Sequence, residues 1–210
     1  EISGAHSYGV RVSFAEYGRS KIVADDNDDD IRISGTNGVE SSPYYYEDSP
    51  ADIFIATEWD GDITLTGNGT TDKDGYGVYN SDSPKDAKGA FRPNSVVASA
   101  NGGIITIEGS NGGFYNGAGS KATLSSIRVN GVNSGIVNYG TMTVDGKSMS
   151  PNNQSYVWAT GENGSGVKNY GVMRIGGGKD CSFSGMKYGI ENYGTLIIDG
   201  NVNITGTTAA

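Results

Sequence analysis

The chain has 210 residues, of which 34 are glycine and 13 are tyrosine, and it carries a formal net charge of −9. Glycine in this proportion without a three-residue period excludes collagen, and the periodic apolar residues exclude a disordered chain. The negative charge argues against a nucleic-acid or anionic-membrane partner, no apolar run is long enough to span a bilayer, and the single cysteine excludes an internal disulfide.

In chain order, the apolar residues recur as groups of three short strands, which we call the first, second and third strands of a coil. The first strands begin with a glycine and an apolar residue, at Gly9, Gly38, Gly77, Gly113, Gly135, Gly166 and Gly189. The second strands are centred on residues 22–23, 53–55, 96–97, 122–124, 142–144, 173–175 and 196–198. The third strands end at Gly35, Gly67, Gly109, Gly131, Gly161, Gly185 and Gly206. The glycines that begin the first strands alternate along the chain with those that end the third strands, so the sequence predicts seven coils.

Near the end of the chain one twelve-residue phrase occurs three times, at residues 135–146, 166–177 and 189–200. Glycine occupies its first, sixth and twelfth positions, and Asn-Tyr always precedes the second glycine. Apolar positions alternate with variable ones, which is typical of a strand with one buried face, and glycine and asparagine suit turns because both tolerate positive φ. We expect stacked copies to align like residues into ladders, namely Ile136, Val167 and Ile190; Met142, Met173 and Leu196; Asn138, Asn169 and Asn192; Tyr139, Tyr170 and Tyr193.

The length of a coil indicates the type of solenoid. The smallest spacing between first-strand glycines is 22 residues, from Gly113 to Gly135. Three strands within this length, without a six-residue frame, predict a right-handed parallel β-helix of about seven coils, roughly 34 Å long. We expect residues 1–210 to form one all-β solenoid domain. Because neither end carries an atypical capping unit, we also expect it to be a segment of a longer surface protein.

Residues beyond the 22-residue minimum are insertions, which leave a solenoid as surface loops. Coil 2 carries one at residues 40–52, and coil 3 carries one at the same corner at residues 81–93. A third, at residues 68–74, joins these two coils, and a fourth, at residues 147–155, belongs to coil 5. Aromatic residues beside charged ones suit a sugar or protein ligand, so the candidate ligand-binding residues are Tyr44, Tyr45, Tyr46, Phe91 and Arg92. The alternative is that the tyrosines pack on the flank of the rod.

The acidic run at residues 25–30 is a candidate calcium site. Clustered carboxylates can supply the oxygen ligands of Ca²⁺, which makes Asp26, Asp28 and Asp30 the candidate ligands. The run lacks the glycine and the distant glutamate of an EF-hand loop, so a solvated acidic turn is the alternative. His6 is the only histidine, and neither a nucleophile–histidine pair nor a histidine-based zinc site can be assembled around it. We predict no catalytic residue and no cofactor other than calcium.

Several segments resemble bacterial autotransporter passenger domains and related surface adhesins. They are Tyr-Gly-Val-Arg-Val at residues 8–12, Tyr-Gly-Val-Tyr-Asn at residues 76–80 and the phrase at residues 189–200. The resemblance covers nearly the whole chain, and it implies a right-handed parallel β-helix displayed outside the bacterial cell. It further implies adhesion to a host or bacterial glycan or protein, or self-association.

Three functions are compatible with the sequence. The first is a non-enzymatic extracellular adhesion module that binds its ligand through the loops of coils 2 and 3. The second is a fragment of a polysaccharide lyase or glycoside hydrolase, because the pectate-lyase superfold shares this architecture. The Asn-Thr-Asp and Gly-His-Gly of its polygalacturonase-like members are absent, which favours the first function. The third is a passive spacer that holds another domain away from the cell surface.

Overall fold

The computed structural model describes residues 2–3, 10–12, 18–24, 30–42, 51–57, 61–71, 73–85, 88–146, 154–176 and 181–207, with side chains from residue 20 onward. Within these ranges the chain forms 22 β-strands and no α-helix. The described residues therefore contain no helix of the length and apolarity needed to cross a membrane.

The strands form three sheets, named after the strands of the coil that they contain. The first sheet consists of β2 (Val10–Val12), β5 (Val39–Ser41), β8 (Tyr76–Asn80), β11 (Gly112–Asn116), β14 (Ser134–Asn138), β17 (Ser165–Asn169) and β20 (Tyr188–Asn192). The second sheet consists of β3 (Gly18–Ala24), β6 (Ala51–Thr57), β9 (Ser95–Ala100), β12 (Lys121–Ser125), β15 (Thr141–Asp145), β18 (Val172–Gly176) and β21 (Thr195–Asp199). The third sheet consists of β1 (Ile2–Ser3), β4 (Ile31–Gly35), β7 (Ile63–Gly67), β10 (Ile105–Gly109), β13 (Ile127–Gly131), β16 (Ser155–Ala159), β19 (Cys181–Gly185) and β22 (Val202–Gly206).

The chain winds through these sheets as a right-handed parallel β-helix, which confirms the predicted fold class. Every pairing between the strands is parallel. Coil 1 runs from β2 to β4 and coil 7 from β20 to β22, and all 21 strands of the seven predicted coils are present in the predicted order. A further third-sheet strand, β1, precedes coil 1 and pairs with β4.

Apolar ladders from all three sheets fill the interior of the rod. The two predicted ladders are confirmed by the strand registers, with Ile136, Val167 and Ile190 aligned in the first sheet and Met142, Met173 and Leu196 aligned in the second. Phe114 and Phe183 are the bulkiest of the fully buried side chains. Burying one such side chain contributes about 1.5–3 kcal/mol. One coil buries few of them, so the stack of coils supplies the stability.

A ladder of asparagine amides, buried in all but the last coil, closes the corner between the first and second sheets. It consists of the last residues of five consecutive first strands, Asn80, Asn116, Asn138, Asn169 and Asn192. At each step the Nδ2 of one asparagine donates a hydrogen bond of 2.7 or 2.8 Å to the Oδ1 of the next. The predicted three-residue ladder is confirmed, and it extends two coils further toward the N-terminus than the repeated phrase indicates.

The N-terminal end of the amide ladder lacks its last hydrogen bond. Ser41 occupies the equivalent position of coil 2, in register with Asn80. Its hydroxyl donates instead to the carbonyl oxygen of Ala51, at 3.3 Å. The Oδ1 of Asn80 is therefore buried without a hydrogen-bond donor. An unsatisfied buried acceptor destabilises a fold, and this one marks the end of the amide ladder.

The glycines at the first and sixth positions of the phrase serve close backbone packing, which corrects the expectation of turns with positive φ. The described glycines with positive φ are Gly75, Gly89, Gly119, Gly176 and Gly200. At Gly166 an added Cβ would lie 2.5 Å from the carbonyl oxygen of Gly189 and 2.7 Å from that of Ser184. The first and third sheets thus approach each other too closely for a side chain. No described asparagine has positive φ, since the asparagines serve the amide ladder.

Candidate functional site

The predicted ligand-binding residues lie on two neighbouring insertions. Tyr44, Tyr45 and Tyr46 fall outside the described residues and remain a prediction. Phe91 and Arg92 lie on the coil-3 insertion, which leaves the rod between β8 and β9 at the predicted corner, and both are exposed.

The ring of Phe91 is already engaged by its own chain. It lies against Gly119, which has a φ of +73° and whose missing Cβ leaves room for the ring. The Nζ atom of Lys85 lies 4.7 Å from the ring centroid, within the range of a cation–π interaction. Phe91 therefore fastens the coil-3 insertion to the next coil and is a poor open platform for a ligand.

Buried polar groups fix the base of the coil-3 insertion. The hydroxyl groups of Ser83 and Ser120 lie 2.7 Å apart, which joins coil 3 to coil 4. The backbone N–H of Asn94 donates to the Ser83 hydroxyl at 2.8 Å, and its side-chain oxygen accepts from the N–H of Ala51 at 3.1 Å. Because these side chains are buried, the insertion leaves the rod from a rigid base.

Of the candidate calcium ligands, Asp26 and Asp28 lie outside the described residues. Asp30 is described and is exposed. One of its carboxylate oxygens lies 3.3 Å from the guanidinium of Arg32, and the other accepts from the backbone N–H of Asp62 at 3.3 Å. Within the described ranges no group of three or more histidine, cysteine, aspartate or glutamate side chains could hold a metal ion. Asp30 acts here as a corner cap, and calcium binding by the run stays a prediction.

A stripe of tyrosines crosses the outer face of the first sheet from coil 3 to coil 7. We call it the tyrosine stripe, and its members are Tyr76, Tyr79, Tyr115, Tyr139, Tyr170 and Tyr193. The predicted ladder of Tyr139, Tyr170 and Tyr193 is confirmed, with ring centroids 4.6 and 5.0 Å apart and interplanar angles of 6° and 9°. Stacked rings cover one another's faces, so this part of the stripe presents mainly ring edges and hydroxyl groups.

The tyrosine stripe steps sideways between coils 4 and 5. In coils 3 and 4 the tyrosine precedes the ladder asparagine, as Tyr79 and Tyr115, and these two rings stack 4.6 Å apart. In coils 5 to 7 the tyrosine follows the asparagine, beginning with Tyr139. Val137 takes the place in register with Tyr115. The rings of Tyr115 and Tyr139 are consequently 5.8 Å apart and tilted by 43°, and the stack is interrupted there.

A cavity of about 310 Å³ opens where the tyrosine stripe steps. The residues that line it are Lys73, Tyr76, Tyr79, Asp82, Tyr115, Val137 and Tyr139. Tyr76 reaches this cavity because its ring lies over Gly112 of the next coil, where an added Cβ would come within 2.5 Å of the ring. Aromatic walls, a small apolar residue and a few polar groups are typical of small-molecule sites. This cavity was not predicted, although the exchange from Tyr-Asn to Asn-Tyr between coils 4 and 5 is a signal of it in the sequence.

The environment of the cavity keeps the phenol of Tyr115 protonated. Burial raises the pKa of the Tyr115 phenol far above its ordinary value, and the nearby Tyr79, Asp82, Tyr139 and Tyr76 raise this pKa further. Outside the cavity, burial is also the main cause of a raised pKa at Tyr170. At neutral pH the Tyr115 hydroxyl is therefore a hydrogen-bond donor.

These shifts predict alkaline unfolding. The pKa of Tyr115 is raised in the folded state, so its stabilising contribution is complete below the unfolded value of about 10 and is lost as the pH rises toward the folded value. We expect loss of β-structure by circular dichroism to coincide with tyrosinate absorbance above about pH 10. Tyr115→Phe should move the unfolding midpoint to higher pH. Titration of all tyrosines at the free-phenol pKa in a chain that stays folded would contradict this prediction.

Comparisons with protein-family models, with curated proteins and with solved structures find no match to this chain. The strand pairing alone therefore identifies the parallel β-helix.

Proposed function

We propose that this chain is a non-enzymatic recognition module displayed on the outside of a bacterial cell, and that the cavity in its tyrosine stripe binds the ligand. The observation that carries this proposal is the convergence of four tyrosine rings around Val137, where the stack is interrupted. The function is still adhesion, as expected from the sequence, but the proposed binding site lies on the first sheet instead of the insertion loops.

The chemistry of the lining residues supports ligand binding. Tyrosine is enriched in binding sites because it combines a large apolar ring with a hydroxyl group at low cost in conformational entropy. The hydroxyl groups of Tyr115 and Tyr139 form no hydrogen bond with any described residue, and both residues line the cavity. Groups that a fold leaves unused at the rim of a cavity are available to a ligand.

The rigidity of the scaffold also supports this proposal. Tyr79, Tyr115 and Val137 all lie within paired strands of the first sheet, and the amide ladder fixes the ends of the same strands. A site built on strands holds its geometry better than one built on loops. The resemblance to autotransporter passenger domains supports display at the bacterial surface.

Recognition fits the lining of the cavity better than hydrolysis does. Glycoside hydrolysis typically uses two carboxyl groups on either side of the scissile bond. Asp82 supplies the single carboxylate among the described residues that line the cavity. A polysaccharide-degrading fragment and a passive spacer are the competing functions, and the following experiment separates all three.

Val137→Tyr should abolish binding without unfolding the chain. A tyrosine at this position continues the column of Tyr79 and Tyr115 and fills the cavity, on a sheet face that already carries tyrosines. Lys168→Tyr is the matched control, because Lys168 is the next residue of the column but does not line the cavity. We expect the wild type to bind at least one component of an array of glycans and cell-surface proteins. The affinity should fall by a factor of about ten or more in Val137→Tyr and stay within about twofold in Lys168→Tyr.

Each result of this experiment decides between the functions. Release of reducing ends or unsaturated products from a polysaccharide by the wild type would show an enzyme. Absence of any ligand would leave the spacer function. Binding that Val137→Tyr does not weaken, with both variants melting within a few degrees of the wild type, would place the ligand elsewhere on the rod.

A further inference from the structure

The charged side chains that line the cavity sum to a net charge of zero. Lys73 lies on the connection between β7 and β8, and Asp82 lies just beyond the end of β8. No other charged residue is among the described residues that line the cavity. The cavity therefore carries one positive and one negative group on a protein whose net charge is −9. A charged ligand would leave one of these two groups facing a charge of its own sign.

The polar groups of the cavity are also mixed in hydrogen-bonding character. One carboxylate oxygen of Asp82 accepts from the backbone N–H of Ala118 at 2.7 Å, which holds the side chain in place and leaves the other oxygen as an acceptor. The ammonium of Lys73 forms no ion pair or hydrogen bond with any described residue, and it is a donor. The protonated hydroxyl of Tyr115 is a further donor. The ligand must thus offer both donors and acceptors within a small volume.

Sugar hydroxyl groups meet this requirement, since each one donates and accepts. The ring edges and Val137 provide an apolar surface for the C–H groups of a pyranose. The volume of about 310 Å³ lies at the low end for small-molecule sites, which favours one or two sugar rings over a long segment of polysaccharide. A protein ligand would instead need a larger and flatter contact surface.

Resting on the proposed function of this same cavity, we infer that its ligand is a neutral pyranose with adjacent hydroxyl groups, bound by Asp82 and Lys73 against the tyrosine rings. Acidic sugars such as uronates should bind more weakly, because they bring a second carboxylate beside that of Asp82. This inference separates the chain from a polyuronide-degrading enzyme, which would have to attract a polyanion.

Calorimetric titration with oligogalactose and oligogalacturonate tests this inference, because the two differ mainly in the carboxylate. We expect the neutral oligosaccharide to bind at least tenfold more tightly, with little dependence on salt. Asp82→Asn keeps an oxygen for the Ala118 N–H, so it should preserve the fold. It should lower the affinity for the neutral oligosaccharide severalfold and reduce the preference for it over oligogalacturonate. Lys73→Met keeps the aliphatic stem and should weaken the neutral sugar without reversing the preference.

The same titrations, repeated in Val137→Tyr, distinguish the two levels of the proposal. Tighter binding of oligogalacturonate that Val137→Tyr abolishes would overturn the neutral-sugar inference and leave the recognition site standing. Binding of a protein instead of any sugar, again lost in Val137→Tyr, would do the same. If Val137→Tyr changes no binding at all, both proposals fall. The neutral-sugar inference is wrong if neither oligogalactose nor any of a panel of other neutral oligosaccharides binds.

Discussion

Asn138→Leu will lower the free energy of unfolding by about 3–5 kcal/mol. Leucine has nearly the shape of asparagine, so the change removes hydrogen bonds without opening a large cavity. The Oδ1 of Asn138 accepts from Asn116 at 2.8 Å, and its Nδ2 donates to the Oδ1 of Asn169 at 2.7 Å and to the carbonyl oxygen of Val172 at 3.1 Å. All three asparagines are buried, so water cannot replace what is lost. Chemical denaturation followed by circular dichroism measures the effect.

Two further variants test whether the amide ladder is the cause. Asn192 ends the ladder and is exposed, so Asn192→Leu should cost less than about 1 kcal/mol. Ser41→Asn should raise stability by about 1 kcal/mol, because it supplies the donor that Asn80 lacks. Equal losses in Asn138→Leu and Asn192→Leu would show that hydrogen bonding within the ladder contributes little.

The architecture could be predicted from the sequence because a solenoid places equivalent residues in equivalent surroundings. A column that keeps its residue type across coils, such as that of Met142 and Met173, identifies an inward position without any knowledge of the fold. Asn138 and Asn169 were recognised in the same way. Asn80 and Asn116 were not, because the residues around them differ from the repeated phrase even though their backbone register is the same.

The candidate site could not be predicted in the same way, because it is a break in the pattern. The cavity exists where Val137 replaces a tyrosine and Tyr139 takes over the stripe two residues later. A search for conserved columns passes over such an interruption. The glycines were misread for a related reason. The sequence shows that glycine recurs at these positions. The reason is visible only in the contact between Gly166 and the neighbouring sheet, which leaves no room for a side chain.

Gly166→Ala will destabilise coils 6 and 7 by about 3 kcal/mol or more. The new Cβ would meet backbone atoms of two neighbouring strands, the carbonyl oxygens of Gly189 and Ser184, and neither can move without breaking its sheet. Gly89→Ala is the control for glycine replacement itself. Gly89 has a φ of +80° but no atom near the position of a Cβ, so this change should cost only about 1 kcal/mol.

Hydrogen exchange and ligand binding together locate the damage in Gly166→Ala. Because each coil of a solenoid contacts only its neighbours, exchange should accelerate in β17 to β22 and remain slow in β8 to β12. The cavity belongs to coils 3 to 5, so the variant should bind its ligand nearly as well as the wild type at low temperature, whereas Asn138→Leu, at the end of β14, should weaken binding as well as stability. If hydrogen exchange accelerates equally in all seven coils, the rod unfolds as one unit. The cavity in coils 3 to 5 would then not be independent of the stability of coils 6 and 7.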